Sequence, residues 1–292
     1  MNKHKFSVSA IFAVVLIFSL FFNHLIQFLA FFEPNSADAA VPGLVAAYSF
    51  DEGAGLTLND SSGNGNNGTI SGAVWNAGKY GSALSFDGTN DYVSRISPTN
   101  IPNNNQPQSF GGWVFYSTAP TSNRNLISLA NPSQNSATQL GFRGGELVVW
   151  KWGGSSLVSA PVPSTGIWHH IFYTYDGTTN RLYVDGQEVS SSTTIHQTGT
   201  PNIYIGSAEG TFEFFTGMID EIRIYNRILS QSEIQTDMNT PISGGTPIPT
   251  PDTTPPTVSI SSPTSGSIVS GTIIVSATAS DNVGVSGVQF LL

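Results

Sequence analysis

Between Leu44 and Tyr225 the apolar residues come in short runs, and Gly, Asn and Asp break every run. Leu44-Val45-Ala46-Ala47-Tyr48-Ser49-Phe50 reads as a strand ended by Asp51-Glu52-Gly53-Ala54-Gly55. Ala83-Leu84-Ser85-Phe86 runs into the turn Asp87-Gly88-Thr89-Asn90, and Tyr92-Val93 resumes. Phe110–Tyr116 and Leu147–Trp152 are strongly apolar strands. His169–Tyr175 passes through Asp176-Gly177-Thr178-Thr179-Asn180 into Arg181-Leu182-Tyr183-Val184, which is a hairpin signal. Asn202–Ile205 and Met218–Tyr225 follow. At least eight strands at this spacing, with almost no helical periodicity, predict a sandwich or barrel. The exception is Ser230-Gln231-Ser232-Glu233 before Ile234, a capping-box pattern that predicts one short helix.

The two ends have a different texture. Lys3, His4 and Lys5 precede an apolar run to about Phe32, and Ala37-Asp38-Ala39-Ala40 has the small-x-small form of a cleavage site. The run exceeds the ~7–15 residues of an ordinary signal-peptide core, so an uncleaved N-terminal anchor is the alternative. Either way residues 1–39 export the chain, and a secreted or cell-surface location is expected. Residues 40–240 form the main domain. Residues 241–254 form a Pro/Thr/Gly linker with Pro247, Pro249 and Pro251. Residues 255–292 contain strand patterns at Thr257–Ile260 and Gly271–Ala279, and Val288–Leu292 starts a third. Three strands do not close a sandwich, so further domains beyond residue 292 are expected.

Composition narrows the partners. There is no cysteine, which excludes disulfides, thiolate chemistry and Cys-based zinc sites. Ten Lys+Arg face nineteen Asp+Glu; without Lys3, Lys5, Glu33 and Asp38 eight face seventeen, and the net charge stays −9. An acidic, charge-poor surface argues against nucleic acid and anionic membranes. It is compatible with cations and neutral ligands such as sugars.

The segment from Gly43 to about Met238 resembles the LamG-like jelly-roll family, within the concanavalin A-like lectin/glucanase fold. The resemblance lies in Leu44–Gly53, the Asn/Gly loop Asp60–Gly68, Ala83–Gly88 with Asp91-Tyr92-Val93, Trp168-His169-His170 before Thr174–Gly177, Leu182–Gly186, and Gly217–Ser230. It implies an all-β, two-sheet antiparallel jelly-roll sandwich. Pro255-Pro256-Thr257-Val258 and Ser280-Asp281-Asn282-Val283-Gly284 make the tail similar to the start of a bacterial Ig-like repeat, an incomplete Ig-like β-sandwich.

A fold of this kind hosts unrelated functions, so chemistry must come from side chains. The loop Asp60–Gly68 offers oxygen donors at Asp60, Ser62 and Asn64, then Gly65, like the opening of a calcium loop. It lacks the bidentate Glu, because Ser71 holds the twelfth position. The resemblance supplies Asp220 as a ligand from the last strand. A structural Ca2+ held by Asp60, Asn64, Asn66 and Asp220 is the expectation, against a plain Asn/Gly turn. Asp220-Glu221 are strand neighbours, so Asp220, Ile222 and Ile224 should share one face and Glu221, Arg223 and Tyr225 the other. Two acids so arranged cannot flank one glycosidic bond. Glu209 and Glu213 show no partner pattern, and no Ser/His/Asp triad is legible. His169 and His170 should point apart, one packed and one exposed.

Trp150 and Trp152 lie two apart before Gly153-Gly154. On a strand they share a face, and exposed they would form a platform for sugar rings. Buried, they would be core, the fate expected of at least one of them and of Trp75, Trp113 and Trp168. Phe212–Phe215 is more apolar than a loop requires. The expectation is a non-catalytic binding module, not an enzyme in this region. It would bind extracellular carbohydrate through Trp150 and Trp152. The alternatives are a protein-adhesion or spacer module contacting a surface protein, and the targeting module of a larger polysaccharide-degrading enzyme.

Overall fold

The computed structural model describes residues 41–242 except 104, 132–135 and 195–198, together with 256–264, 266–270, 272–280 and 288. The leader, most of the linker, His196 and Phe290-Leu291-Leu292 lie outside these residues. The chain divides into Met1–Gly245 and Thr246–Leu292.

Two eight-stranded antiparallel sheets build the first unit. The first sheet runs β14 (Gln187–Ser192), β13 (Asn180–Val184), β12 (Trp168–Tyr175), β7 (Gln108–Phe115), β16 (Thr216–Tyr225), β5 (Ser82–Asp87), β4 (Val74–Ala77), and β1 (Leu44–Tyr48) also pairs with β16. The second runs β11 (Ser156–Pro161), β10 (Glu146–Lys151), β9 (Ser136–Arg143), β8 (Arg124–Asn131), β15 (Asn202–Ile205), β6 (Tyr92–Arg95), β3 (Gly68–Ser71), β2 (Thr57–Leu58). This is the all-β jelly-roll sandwich. Phe110, Tyr173 and Ile222 of the first sheet and Leu140, Val149 and Ile203 of the second belong to one shared core. Each such side chain contributes roughly 1.5–3 kcal/mol by leaving water.

Among the described residues there is one α-helix, α1 (Gln231–Asn239), and it starts at Ser230 with both capping-box bonds formed. Its Ile234, with Leu229, packs on Phe172, Tyr183 and Tyr225, which project from the outer face of the first sheet. The helix thus covers part of that face.

One expectation about side-chain direction is corrected. The ladder of β16 with β7 shifts between Asp220 and Arg223, and Glu221 stands at φ 55. This bulge inserts one residue and breaks the alternation. Ile219, Ile222 and Ile224 enter the core. Asp220, Glu221 and Arg223 all take partners outside it: the Lys79 and Tyr80 amides, the Ile242 amide and the Thr240 carbonyl. The two acids therefore lie on one side of the sheet. His169 and His170 point to opposite faces as expected, but both are buried.

In the second unit β17 (Thr257–Ser262) pairs with β18 (Ser276–Ser280) in an antiparallel hairpin. The second strand is shorter than its sequence pattern, because residues 272–275 have no ladder partner. Among the described residues no helix is long and apolar enough to cross a membrane.

Candidate functional site

Strand register brings a polar and aromatic row across the outer face of the second sheet. Tyr204 on β15 pairs with Ser128 on β8, Ser128 with Gln139 on β9, and Gln139 with Trp150 on β10. Their strand neighbours Ile203, Ile127, Leu140 and Val149 point into the core, so the row points away from it. At its Trp150 end the row opens into a cavity of about 300 Å3. Gln139, Arg143, Trp150, Trp152, Gly153, Gly154, Phe212 and Glu213 line it.

Each wall has a local cause. β10 ends at Lys151, and Trp152–Gly154 form a 3-10 turn. Trp150 is thus a strand residue and Trp152 a turn residue, yet both reach one cavity. Trp150 is 2% exposed and Trp152 38% exposed. Phe212, opposite, is 46% exposed, an unusual surplus of apolar surface on a loop. Arg143 donates through Nη1 to the Gly154 carbonyl and fastens the turn. The Glu213 carboxylate accepts from Asn123 Nδ2 at 3.0 Å, and its carbonyl accepts from the Asn125 amide at 2.8 Å. Gln139 is 5% exposed, and its carboxamide lines the cavity without a hydrogen bond among the described residues. Ser128 Oγ beside it is buried and has no partner either. Buried polar groups are rarely left so. Gln139, Arg143, Phe212 and Glu213 join the two tryptophans here, and only the apolar excess of Phe212–Phe215 gave a sequence signal.

The Asp60 loop does different work. β1 pairs with β16 along one edge only, and the loop satisfies the other. Asp60 Oδ1 accepts from the Ala47 and Ser62 amides, both at 2.9 Å. Its Oδ2 accepts from Ser62 Oγ and the Asn66 amide, both at 2.8 Å. Asn64 Nδ2 donates to the Leu44 carbonyl, and Asn66 Nδ2 and Ser62 Oγ to that of Val45. The loop is a side-chain substitute for a missing strand. A carboxylate has about four lone-pair positions, and those of Asp60 are filled by protein donors. Asn66 Oδ1 accepts from the Thr99 amide, and Asn64 Oδ1 from Asn100 Nδ2. Asp220 is held by a separate loop, with Oδ2 accepting from the Lys79 and Tyr80 amides. Calcium therefore does not fit these four residues as one site. Among the described residues no three His, Asp or Glu side chains are placed to share a metal.

Two further polar groups draw notice. Beneath Lys79 and Tyr80, a row on the outer face of the first sheet joins His170, Trp113 and Asp220. His170 Nδ1, Trp113 Nε1, Asp220 Oδ1 and Glu221 Oε1 there are buried without partners. Burial pushes Asp220 up to about 8 and Glu221 up to about 7, and holds His170 down at about 3 with the help of Arg223. Neither acid lines the Trp150/Trp152 cavity.

Separately, His169 Nδ1 lies 2.8 Å from Asp185 Oδ2, and its Nε2 3.0 Å from Ser164 Oγ. This connectivity, illegible in the sequence, is that of a Ser/His/Asp triad. The same Nε2 is 3.1 Å from the Ser164 carbonyl, and the three residues do not line the Trp150/Trp152 cavity. The contacts tie the 163–167 loop to the Asp185-Gly186 turn.

Comparison with known proteins agrees with this architecture. No curated protein matches the chain. Among solved structures, domain 4 of AbnA, a GH43 extracellular arabinanase from Geobacillus stearothermophilus, in complex with arabinotriose, is 25% identical; the match covers 67% of this chain and 98% of that one, at TM-score 0.53. Trypanosoma rangeli sialidase in complex with the inhibitor DANA is 18% identical, over 70% of this chain and 34% of that one, at TM-score 0.54. The binding domain of Paraclostridial Mosquitocidal Protein 1 is 17% identical, over 68% and 52%, at TM-score 0.55. The last two speak for the fold alone. Residues 256–292 match the bacterial Ig domain family. Residues 87–235, just over half of the sequence, match the Laminin_G_3 family, and the chain belongs to the concanavalin A-like lectin/glucanases superfamily.

Proposed function

We propose that this chain is an extracellular carbohydrate-binding module, non-catalytic in the region described, and that it holds sugar in the Trp150/Trp152 cavity. The observation that carries the reading is the convergence on one cavity of Trp150, the exposed Trp152 and Phe212, and the Gln139 carboxamide, which has no hydrogen-bond partner among the described residues. A sugar hydroxyl supplies both kinds of partner, and the faces of Trp152 and Phe212 suit the apolar faces of a ring. The likeness to an arabinanase domain crystallised with arabinotriose, over nearly all of that domain, supports the ligand class. The Ig-like unit and the extracellular arabinanase relative support an extracellular setting. The carboxylates of Asp220 and Glu221 are sealed away from the cavities, which supports binding without hydrolysis. Calcium at Asp60 has no part in the proposal.

The test is glycan-array binding of the purified protein beside a Gln139→Ala variant. Binding to a defined group of sugars, lost in the variant, is expected. An array with no bound glycan would sink the sugar reading and move adhesion or spacing into its place.

A further inference from the structure

A second row of side chains crosses the outer face of the first sheet. Val74 on β4 pairs with Ser85 on β5, Ser85 with Met218 on β16, Met218 with Phe115 on β7, and Phe115 with Trp168 on β12. Their strand neighbours Leu84, Ile219 and Val114 point into the core, so the row points outward. On β12, Phe172 lies under helix α1 and is fully buried. Trp168, four residues earlier on the same face, is half-buried, as are Phe115 and Met218. The Phe115 and Trp168 rings lie 5.7 Å apart, and Val74 at the far end of the row is 60% exposed. Apolar surface gathered in this way marks a contact site.

At Met218 and Phe115 the row borders a cavity of about 500 Å3, a size ordinary for ligand pockets. Its other wall is residues 117–122, which lead from β7 of the first sheet to β8 of the second. Ser117, Thr118, Thr121 and Ser122 there are exposed, and their hydroxyls make no hydrogen bond among the described residues.

The charge on this cavity has one sign. Arg124 lines it, and no Asp or Glu does. Arg124 has no ionic partner and no side-chain hydrogen bond among the described residues. An acid is within reach of its neighbours: Asn123 and Asn125 meet the Glu213 carboxylate at 3.0 Å and 3.5 Å. Arg124 stands between them, and alternation along the strand turns it the other way, to the cavity. Its guanidinium fork is left open for a ligand, and that fork fits a carboxylate bidentately. Serine and threonine hydroxyls suit the hydroxyls of a sugar, and Phe115 and Met218 suit the apolar face of its ring. The chain's net charge of −9 opposes an anion at long range, but salt screens that field beyond ~8 Å and leaves a direct pair. We propose that this cavity is a second binding site, which takes a carboxylate-bearing sugar. It stands independently of the Trp150/Trp152 reading.

Isothermal titration of the purified protein and its Trp152→Ala variant tests this, with trigalacturonate and its methyl ester, sialyllactose and lactose, and a hexaglutamate peptide. At least one acidic sugar should bind, its uncharged counterpart should bind at least about tenfold more weakly, and Trp152→Ala should change neither. Arg124→Gln should lower affinity by about 10- to 100-fold, the worth of a charge-assisted bond. Thr121→Glu, at an exposed loop position, should weaken binding severalfold by placing an acid in the wall, and it tests the site even if Arg124→Gln does not fold. Binding of neither acidic sugar, equal binding of the charged and uncharged forms, or unchanged affinity in either folded variant overturns the proposal. Loss of binding in Trp152→Ala overturns it as well, by placing the acidic sugar in the first cavity. Binding of the glutamate peptide as tightly as the sugars overturns the sugar and assigns the face to an acidic protein.

Discussion

Asp60→Ala should be among the most destabilising single substitutions in the first unit. It removes four acceptor contacts at once, two of them from the amides of buried residues, Ala47 and Asn66. An unmet buried donor costs about 1–3 kcal/mol, so the pair alone amounts to about 2–6 kcal/mol. A domain has only ~5–15 kcal/mol in total. Asp60→Asn keeps the size and one oxygen but turns a second N–H toward the Asn66 amide, and an intermediate loss is expected. Urea unfolding followed by tryptophan fluorescence, with and without EDTA, measures both variants. The loss should be the same in both buffers, because the loop is held by N–H and O–H donors. A variant within ~0.5 kcal/mol of the parent would refute the hydrogen-bond account. So would an EDTA-induced loss in the parent that equals the substitution and vanishes in the variant, since that pattern would place a metal at Asp60.

Other outcomes follow from the same structure. Asp220 and Glu221 have folded-state pKa values raised to about 8 and about 7, chiefly by burial. Their contribution to stability is complete below the ordinary carboxylate range and is lost as pH rises through those values. Stability, followed by urea unfolding, should therefore fall by roughly 1 kcal/mol per pH unit per carboxyl, from about pH 4 to about 7 for Glu221 and to about 8 for Asp220, and Asp220→Asn should flatten the slope; a stability that rises over this window contradicts the assignment. Gly154→Ala places a Cβ 2.5 Å from Arg143 Nη2 at a left-handed φ. It should weaken sugar binding severalfold for about 1–2 kcal/mol of stability, and unchanged affinity would show that the turn is no wall. Ser164 should resist a fluorophosphonate probe, and His169→Ala should cost ~2 kcal/mol as a lost tie between loop and turn; labelling at Ser164 would show that the three residues act as a nucleophilic site.

Much of the sandwich was legible because its strands alternate over one shared core. Leu44–Tyr48, Ser82–Asp87 and Trp168–Tyr175 announce themselves through apolar runs bounded by Gly and Asp turns. The strands β8 and β9 do not. Ser128, Thr138 and Gln139 interrupt their apolar pattern, so Arg124–Arg143 carries no strand signal. Gln139 lines the proposed site and Ser128 is its ladder partner, so local reading fails where polar residues occupy buried strand positions. The bulge at Glu221 was hidden for another reason. A one-residue insertion in a ladder leaves composition unchanged, yet it puts Asp220 on the side opposite Ile222 and Ile224, with which it was expected to share a face. The Asp60 loop misled through likeness of donor types, because oxygens suited to a cation suit backbone amides equally well. The Ser164–His169–Asp185 contacts depend on a loop and a turn meeting in space, which no spacing rule encodes. Trp150 and Trp152 stand out by their spacing, and both line one cavity although the second sits on a turn and not on the strand.

The function proposed for this chain turns on sugar binding in the Trp150/Trp152 cavity. Its most direct test is titration of Trp152→Ala and the parent protein with arabinotriose and with the neutral glycans bound on the array, alongside urea unfolding of both proteins. Trp152 is partly exposed and belongs to no core cluster, so its removal should leave stability within about 1 kcal/mol. Affinity should fall about tenfold, the worth of one aromatic stacking contact. Equal affinity in a folded Trp152→Ala variant would contradict the claim and place the sugar elsewhere on the molecule.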